Sequence, residues 1–173
     1  MDLKKYIRTV KNFPEPGVEF KDISLLLANG KALNYTINKM SELAKDADII
    51  VGPDARGFLF GTPVAAKLSK PFIMVRKKGK LPGEVISYEY GLEYGRSILE
   101  IQKNLVKPGQ KAVIIDDVLA TGGTLEAIMK LLKDQGVEIL KIIVLMELDG
   151  FDARKKLNCD IESLIFVEKN TDK

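Results

Sequence analysis

VIIDDVLATGGT, residues 113–124, is the stretch that decides the fold of this chain. Its first three residues are apolar and β-branched, which predicts a strand buried on both faces, as in a parallel sheet. Two acids, Asp116 and Asp117, follow at once. They would therefore emerge at the carboxyl end of the strand, which is where open parallel sheets place their ligands.

The second half of this stretch is a loop of small residues that suits a phosphate. Glycines let backbone N–H groups close around an anion, threonines add hydroxyl donors, and a helix from about Thr124 would point its positive end at the loop. The same residue types also form ordinary helix caps and turns. Neither GxxxxGK[ST] nor GxGxxG occurs, which disfavours nucleoside triphosphates and dinucleotides. We expect a phosphate to be held by Ala120, Thr121, Gly122, Gly123 and Thr124, and sugar hydroxyls by the two acids.

Apolar segments alternate with helical ones over most of the chain. Strands are expected at 49–51, 72–75, 97–101, 112–115, 141–146 and 161–167, and helices at 31–45, 57–68 and 124–135. This alternation predicts an α/β fold, with a mainly parallel sheet covered by helices on both faces. Residues 76–95 show no regular period and are expected to form a long functional loop.

Composition indicates one compact domain, residues 1–173, with a small ligand. The formal net charge of +3, from 27 basic and 24 acidic residues, is too balanced to predict nucleic-acid binding. The single cysteine cannot form an internal disulfide, and no apolar run approaches the ~18 residues of a membrane span. Because the N-terminus also lacks a signal-peptide core, we expect a cytoplasmic protein that binds neither nucleic acid nor membrane.

The chain contains no histidine. This excludes nucleophile systems that depend on histidine and most zinc sites. Any general acid or base must be Asp, Glu, Lys or Tyr. Such a chain suits a reaction whose barrier is charge development at a sugar carbon, because positioned charges can lower that barrier.

The stretch 113–124 resembles the phosphoribosyl pyrophosphate (PRPP) motif of type I phosphoribosyltransferases. The resemblance implies that residues 120–124 bind the ribose 5-phosphate, and that Asp116 and Asp117 contact the ribose 2- and 3-hydroxyls. It further implies a twisted, mainly parallel sheet with a small hood, from about 1–30 and 76–96, and a flexible loop. Magnesium would be bound with PRPP and held mainly through it, with no metal ligand set of the protein's own, and the chain would form a homodimer.

A second segment, FPEPGVEFKDI at 13–23, resembles the FPxPG[IV]xF[RK]DI signature of adenine phosphoribosyltransferases. The resemblance implies that Phe20 stacks on adenine, that the backbone of Glu19 reads its N1 and 6-amino edge, and that Leu148 covers its other face. Lys21 belongs to the same adenine-binding set, although arginine is common there and a lysine lacks the guanidinium fork. The alternative is a hydrophobic lid in which Phe13 and Phe20 pack on the sheet.

A third segment, GPDARGFLFG at 52–61, lies between a strand end and a helix start, where anions bind. The resemblance implies that it is the pyrophosphate loop, with a cis peptide between Asp54 and Ala55. Arg56 would lie close to the pyrophosphate or the base. The alternative for Arg56 is a plain surface ion pair.

The fourth segment, residues 76–95, combines a basic cluster with glycines, tyrosines and acids. The resemblance implies a mobile hood that closes over PRPP, with Arg76, Lys77 and Lys80 facing the pyrophosphate. Within LEYG at 92–95, Glu93 would be the acid-base residue and Tyr94 would line the closed site. A solvated face is expected for the four remaining polar and aromatic residues, Glu84, Tyr88, Glu89 and Tyr90.

Taken together, these resemblances imply a pentosyltransferase of purine salvage. It would transfer the 5-phosphoribosyl group of PRPP to N9 of adenine, giving AMP and pyrophosphate, with Glu93 managing the N9 proton. The segment IIVLMEL at 142–148 offers no basic side chain to the O6 of a 6-oxopurine, which favours adenine. Two alternatives stay open, a phosphoribosyltransferase for another purine base and a PRPP-sensing regulator on the same fold.

Overall fold

The computed structural model describes residues 1–92 and 95–168, and its helices and strands alternate through most of them. The strands are β1 (Arg8–Lys11), β2 (Glu19–Asp22), β3 (Ile49–Pro53), β4 (Phe72–Lys77), β5 (Val85–Leu92), β6 (Gly95–Gln102), β7 (Lys111–Leu119), β8 (Glu138–Leu148) and β9 (Ile161–Val167). The helices are a 3-10 turn (Leu3–Tyr6), α1 (Ser24–Leu27), α2 (Gly30–Ala44), α3 (Arg56–Leu68), α4 (Gly123–Lys133) and α5 (Ala153–Leu157).

Seven strands form one sheet in the order β5-β6-β4-β3-β7-β8-β9. Strands β4, β3, β7, β8 and β9 pair in parallel, whereas β6 pairs antiparallel with both β4 and β5. Strands β1 and β2 form a separate antiparallel hairpin. The predicted α/β fold with a mainly parallel sheet is therefore confirmed.

The hydrophobic core lies on both faces of this sheet. On one face Ile114 of β7 belongs to a buried cluster with Ile128 of α4. On the other face Ile115 belongs to a second cluster with Met40 of α2 and Phe60 of α3. Neighbouring residues of a strand point to opposite faces. The unbroken apolar run that opens the motif thus fills both cores at once, as predicted.

The expectation of one long loop over residues 76–95 is wrong, because strand β5 occupies Val85–Leu92. Its residues Ile86, Tyr88 and Tyr90 are partly buried and pack against the core cluster that contains α4. The solvated face expected for Tyr88 and Tyr90 is therefore also wrong. Glu84 and Glu89 are exposed, as predicted. The period-two alternation from residue 86 to residue 90 was the sequence signal for this strand.

Close packing brings α3 against the ends of β3 and β4. A Cβ atom at Gly61 would lie 2.5 Å from Cε2 of Phe72, so the helix can approach the sheet only with glycine there. At Gly57, in the first turn of α3, a Cβ atom would lie 2.7 Å from Cδ of Pro53 and 3.0 Å from the carbonyl oxygen of Ile115. The start of α3 is thereby held against the carboxyl ends of β3 and β7. None of the helices in the described ranges has the length and apolar content needed to cross a membrane.

Candidate active site

A cavity of about 420 Å³ opens at the carboxyl ends of β3 and β7. The residues lining it are Pro53, Asp54, Ala55, Arg56, Asp116, Asp117, Val118, Ala120, Thr121, Gly122, Gly123, Thr124 and Leu125. The structure thus brings together all seven residues expected to hold the ribose and its phosphate, and three of the six expected at the pyrophosphate. Pro53, Val118 and Leu125 were not expected at the site. They are apolar neighbours of the motif residues, and nothing in their sequence context marks them as lining residues.

The loop before α4 presents uncapped backbone amides to this cavity. Gly122 is the N-cap residue of α4, its φ of +80° lies in the left-handed region, and no side chain caps the helix. The first N–H groups of a helix have no partner within it, so they are free to bind an anion. Thr124 lies beside Tyr90, whose hydroxyl is 3.4 Å from its Oγ1. This long contact joins the loop to strand β5, a strand that the sequence analysis did not predict.

The two acids lie inside β7 rather than beyond it, because the strand continues to Leu119. Asp117 is only 3% exposed, and its Oδ2 accepts no hydrogen bond from the described residues. Nε of Arg56 lies 2.9 Å from that oxygen as an ion pair without hydrogen-bond alignment. Oδ1 of Asp116 accepts a hydrogen bond of 2.8 Å from the backbone N–H of Asp117. A buried carboxylate oxygen of a cavity-lining residue therefore has no hydrogen-bond donor among the described residues.

Both carboxyls have a pKa above the ordinary value of 3.8. For Asp116, burial raises the pKa most, and the negative charge of Asp117 raises it further. For Asp117, burial again raises the pKa, whereas the positive charge of Arg56 lowers it. Removal from water thus outweighs the positive charge of Arg56 in setting the pKa of Asp117. Both carboxyls would gain from a ligand that donates hydrogen bonds.

The loop after β3 has the geometry expected of the pyrophosphate loop. The peptide bond between Asp54 and Ala55 is cis, as the resemblance implies. Oδ2 of Asp54 accepts a hydrogen bond of 2.9 Å from Nε of Arg76, and NH1 of Arg76 donates to the carbonyl oxygen of Lys80 at 3.1 Å. Arg76 is thus already engaged by the protein, whereas Lys77 and Lys80 are exposed.

The residues expected to bind adenine do not all share one cavity. Glu19, Lys21 and Leu148 line a second cavity of about 550 Å³, and Phe20 is not among its lining residues. The guanidinium of Arg56 lies 5.0 Å from the centre of the Phe20 ring, and Phe13 packs edge-on against that ring at 5.2 Å. Alternation along β2 sends neighbouring side chains to opposite faces. Phe20 therefore lies toward the first cavity, and Leu148 belongs to the second.

An ion pair beside Leu148, between a buried glutamate and an exposed arginine, was missed by the sequence analysis. Glu147 is 8% exposed, and both of its carboxylate oxygens accept hydrogen bonds from Arg154, at 2.8 and 2.7 Å. Arg154 also donates to the carbonyl oxygen of Ile161 at 2.8 Å. The Arg154 guanidinium lowers the pKa of Glu147 below its ordinary value of 4.5. An acid inside an otherwise apolar strand was the available signal. Glu93 and Tyr94 lie outside the described residues, so their expected roles stay predictions.

Comparison with known proteins agrees with this geometry. The phosphoribosyl transferase domain family matches residues 18–171. The adenine phosphoribosyltransferase of Mycoplasmopsis pulmonis is 69% identical over 168 residues, covering 96% of this chain and 99% of that protein. The crystal structure of adenine phosphoribosyltransferase from Thermoanaerobacter pseudethanolicus has a TM-score of 0.91 at 48% identity and covers 96% of this chain and 98% of its own. The Saccharomyces cerevisiae enzyme, crystallised with adenine and an imino-altritol bisphosphate, has a TM-score of 0.88 at 37% identity, covering 94% and 96%. The chain therefore belongs to the phosphoribosyl transferase family, among the adenine phosphoribosyltransferases.

Proposed function

We propose that the cavity between β3 and β7 is where this enzyme transfers the 5-phosphoribosyl group of PRPP to N9 of adenine, giving AMP and pyrophosphate. One observation carries the assignment. The buried Oδ2 of Asp117, which no described residue hydrogen-bonds, belongs to a residue that lines the same cavity as the uncapped start of α4. A sugar diol and a phosphate on one molecule supply what both features need.

The ribose 5-phosphate would lie against the backbone amides of residues 121–124. Its phosphate accepts their hydrogen bonds and interacts with the positive end of α4. The ribose hydroxyls would donate to the carboxylates of Asp116 and Asp117. Since ionised carboxylates make hydrogen bonds about twice as strong as neutral groups do, these contacts orient the sugar and place its C1 toward the loop after β3.

The diphosphate would occupy the other half of the cavity, beside Asp54, Ala55 and Arg56. Two exposed lysines of the turn that follows β4, Lys77 and Lys80, would contribute positive charge. Charge develops on the leaving diphosphate as its bond to C1 breaks, and fixed cations and amides stabilise that charge. Arg76 would act mainly by holding this wall together, because Asp54 and the Lys80 carbonyl already occupy two of its nitrogens.

Adenine would lie near Phe20, with one ring face on the phenyl group. The guanidinium of Arg56 now lies over that ring, so the base and Arg56 would compete for one surface unless Arg56 turns to the diphosphate. The backbone of Glu19 would supply the donor and acceptor for N1 and the 6-amino group. The contribution of Lys21 and Leu148 would require the base to reach the second cavity.

Glu93 would take up the N9 proton as the base attacks C1. Replacing Glu93 by glutamine removes the proton acceptor but keeps the shape, so we expect kcat to fall by about 10²–10⁴ with little change in PRPP affinity. Glu89→Gln is a matched control, since Glu89 is an exposed glutamate four positions earlier whose one ion pair within residues 1–92 and 95–168 is with Arg96. Steady-state kinetics and calorimetry measure the two effects. A loss of PRPP affinity at unchanged kcat would contradict the role.

Magnesium would enter the cavity bound to PRPP rather than bind to a separate site on the protein beforehand. The described residues offer no group of three or more His, Cys, Asp or Glu side chains that could hold a metal. Mg²⁺ commonly binds through substrate phosphates with only one or two carboxylates, and the cavity has a carboxylate pair within it. When bound, the ion would neutralise charge on the diphosphate.

The remaining proposals rest on family resemblance. The whole chain, residues 1–173, would be one phosphoribosyltransferase domain that works in the cytoplasm as a homodimer, without nucleic acid or membrane. The cores on the two faces of a single sheet support one domain. Sedimentation would measure the dimer, and cell fractionation would measure the location.

Base selectivity is tested by incubating the protein with PRPP, magnesium and each purine base in turn, and by following pyrophosphate release. We expect release with adenine only. Release with guanine, hypoxanthine or xanthine instead would favour another purine transferase. PRPP binding without release for any base would favour a regulator.

A further inference from the structure

Glu100 of β6 is a buried acid for which the reaction as described has no use. It is 4% exposed. Its Oε2 accepts a hydrogen bond of 3.0 Å from the backbone N–H of Gly79, and its Oε1 accepts one of 3.1 Å from the hydroxyl of Ser87. Within residues 1–92 and 95–168, Glu100 takes part in none of the ion pairs. Burying a carboxylate is costly unless hydrogen bonds compensate it, so these two bonds keep it in place.

The bond to Gly79 fastens the basic turn, residues 77–80, which joins β4 to the segment before β5. Gly79 has a φ of +78°, in the left-handed region that favours glycine. The N–H of Lys80 donates to the carbonyl oxygen of Lys77 at 3.2 Å, which closes the turn on itself. An interior side chain thus holds an exposed, positively charged turn by its backbone.

The other attachment of the basic turn leads to the active-site cavity. NH1 of Arg76 donates to the carbonyl oxygen of Lys80 at 3.1 Å, while its Nε donates to Asp54, which lines the cavity. In the strand register Arg76 and Glu100 are direct partners across β4 and β6, and Glu100 is also the partner of Ser87 across β5. Arg76, Glu100 and Ser87 thus lie side by side on β4, β6 and β5. This row holds the turn through the N–H of Gly79 and the carbonyl oxygen of Lys80.

We propose that Glu100 is a positioning residue that fixes the basic turn so that Lys77 and Lys80 meet the diphosphate of PRPP. The inference rests on the proposed function, which places those two lysines at the diphosphate. Lysine side chains lose considerable conformational freedom when they bind a ligand. A backbone that is already fixed limits the further loss, so the turn binds the diphosphate more tightly than a free loop of the same charge.

Glu100→Gln tests this positioning role. The amide keeps the shape and can still bond to both partners, with its oxygen accepting from Gly79 and its NH₂ donating to the Ser87 hydroxyl, but it replaces the ionised acceptor at Gly79 by a neutral one. We expect the Kd for magnesium pyrophosphate, measured by calorimetry, to rise about fivefold, since a neutral acceptor makes a weaker hydrogen bond than an ionised one. The Kd for ribose 5-phosphate, which binds at the start of α4, should not change. KM for PRPP should rise more than kcat falls.

Two further variants keep the test decisive. Glu84→Gln is the matched control, because Glu84 is an exposed glutamate of the same region whose one ion pair among the described residues is with Lys103, and it should bind both ligands normally. Ser87→Ala removes one of the two hydrogen bonds and applies if Glu100→Gln does not fold. It should raise the Kd for pyrophosphate by less, about threefold, because Glu100 keeps its hydrogen bond to Gly79, the one that holds the turn directly.

The inference is overturned if folded Glu100→Gln binds pyrophosphate with normal affinity. It is also overturned if the affinity for ribose 5-phosphate falls to the same extent, because that would indicate that the substitution disturbs the whole protein and not the turn alone. Lys77→Ala and Lys80→Ala separate this outcome from failure of the proposed function. If neither substitution weakens pyrophosphate binding, the diphosphate does not contact this turn. The proposed placement of the two lysines at the diphosphate and the positioning role of Glu100 are then both wrong. If they weaken it and Glu100→Gln does not, only the positioning role is wrong.

Discussion

Replacing Asp117 by asparagine should weaken PRPP binding while leaving the protein as stable as before, or more so. Asp117 is 3% exposed, and among the described residues its Oδ2 has no hydrogen-bond partner and one ion pair, with Arg56 at 2.9 Å. If a ribose hydroxyl donates to it, the variant exchanges an ionised acceptor for an amide. Hydrogen bonds to charged groups contribute about 1.5–3 kcal/mol, so the Kd for magnesium PRPP should rise about tenfold to a hundredfold.

The effect on stability has the opposite sign, because burial raises the pKa of Asp117 more than Arg56 lowers it. Between 3.8 and the raised value, the folded state binds more protons than the unfolded state. The free energy of unfolding therefore falls as pH rises through that window. Asparagine does not titrate. The melting temperature of the variant minus that of the parent should thus increase as the pH is raised from below 3.8 toward neutral.

Calorimetry with PRPP and thermal melts at several pH values measure both effects. Asp160→Asn is the control, since Asp160 is more than half exposed and forms one ion pair in the described part of the chain, with Lys141. Unchanged PRPP affinity in Asp117→Asn would refute the ribose assignment. A melting temperature that falls at neutral pH would refute the reasoning on burial, because the ion pair with Arg56 would then stabilise the fold more than burial destabilises it.

Two further variants test the packing around the site. Gly57→Ala should reduce the free energy of unfolding by about 1–3 kcal/mol, because its Cβ atom would lie 2.7 Å from Pro53. Chemical denaturation measures this against Gly30→Ala, where nothing lies within 4 Å, and equal stability of the two would contradict the close packing. Glu147→Gln should cost about 1–3 kcal/mol near neutral pH by breaking the paired bonds to Arg154. The Glu147 pKa is lowered, so its contribution is present above 4.5 and is lost as pH falls through the folded value. Melts that show the same loss at all pH values would argue against this.

Residues that act through local backbone chemistry could be predicted from the chain. The apolar run before the paired acids could only be a doubly buried strand, and the small residues after it could only be a tight turn into a helix. Both are properties of neighbouring residues, and the loop 120–124 and the two acids do line one cavity, whereas their roles toward phosphate and ribose stay predictions. The missed strand β5 is a different case. The period-two pattern was present at residues 86–90, but the tyrosines and acids of this segment masked it.

Side-chain partners across the sheet could not be predicted. Glu100 and Arg76 are 24 positions apart, and only the register of β4, β5 and β6 brings Ser87 into their row. Likewise Arg56 was expected near pyrophosphate or base, and its pairing with Asp117 depends on how α3 packs against β7. Glu19, Lys21 and Leu148 line the second cavity and Phe20 does not, because alternation along β2 separates Phe20 from Glu19 and Lys21.

The sequence by itself determined which chemistry is available: a turn of small residues suited to an anion, two adjacent acids on a buried strand, and no histidine. Only the tertiary structure decided which charges meet. It buries Asp117 beside Arg56, raises the pKa of both acids, and ties the basic turn to Glu100. The reason is physical. Local conformation depends on neighbours in the chain, whereas desolvation and charge pairing depend on distances that the packed sheet alone sets.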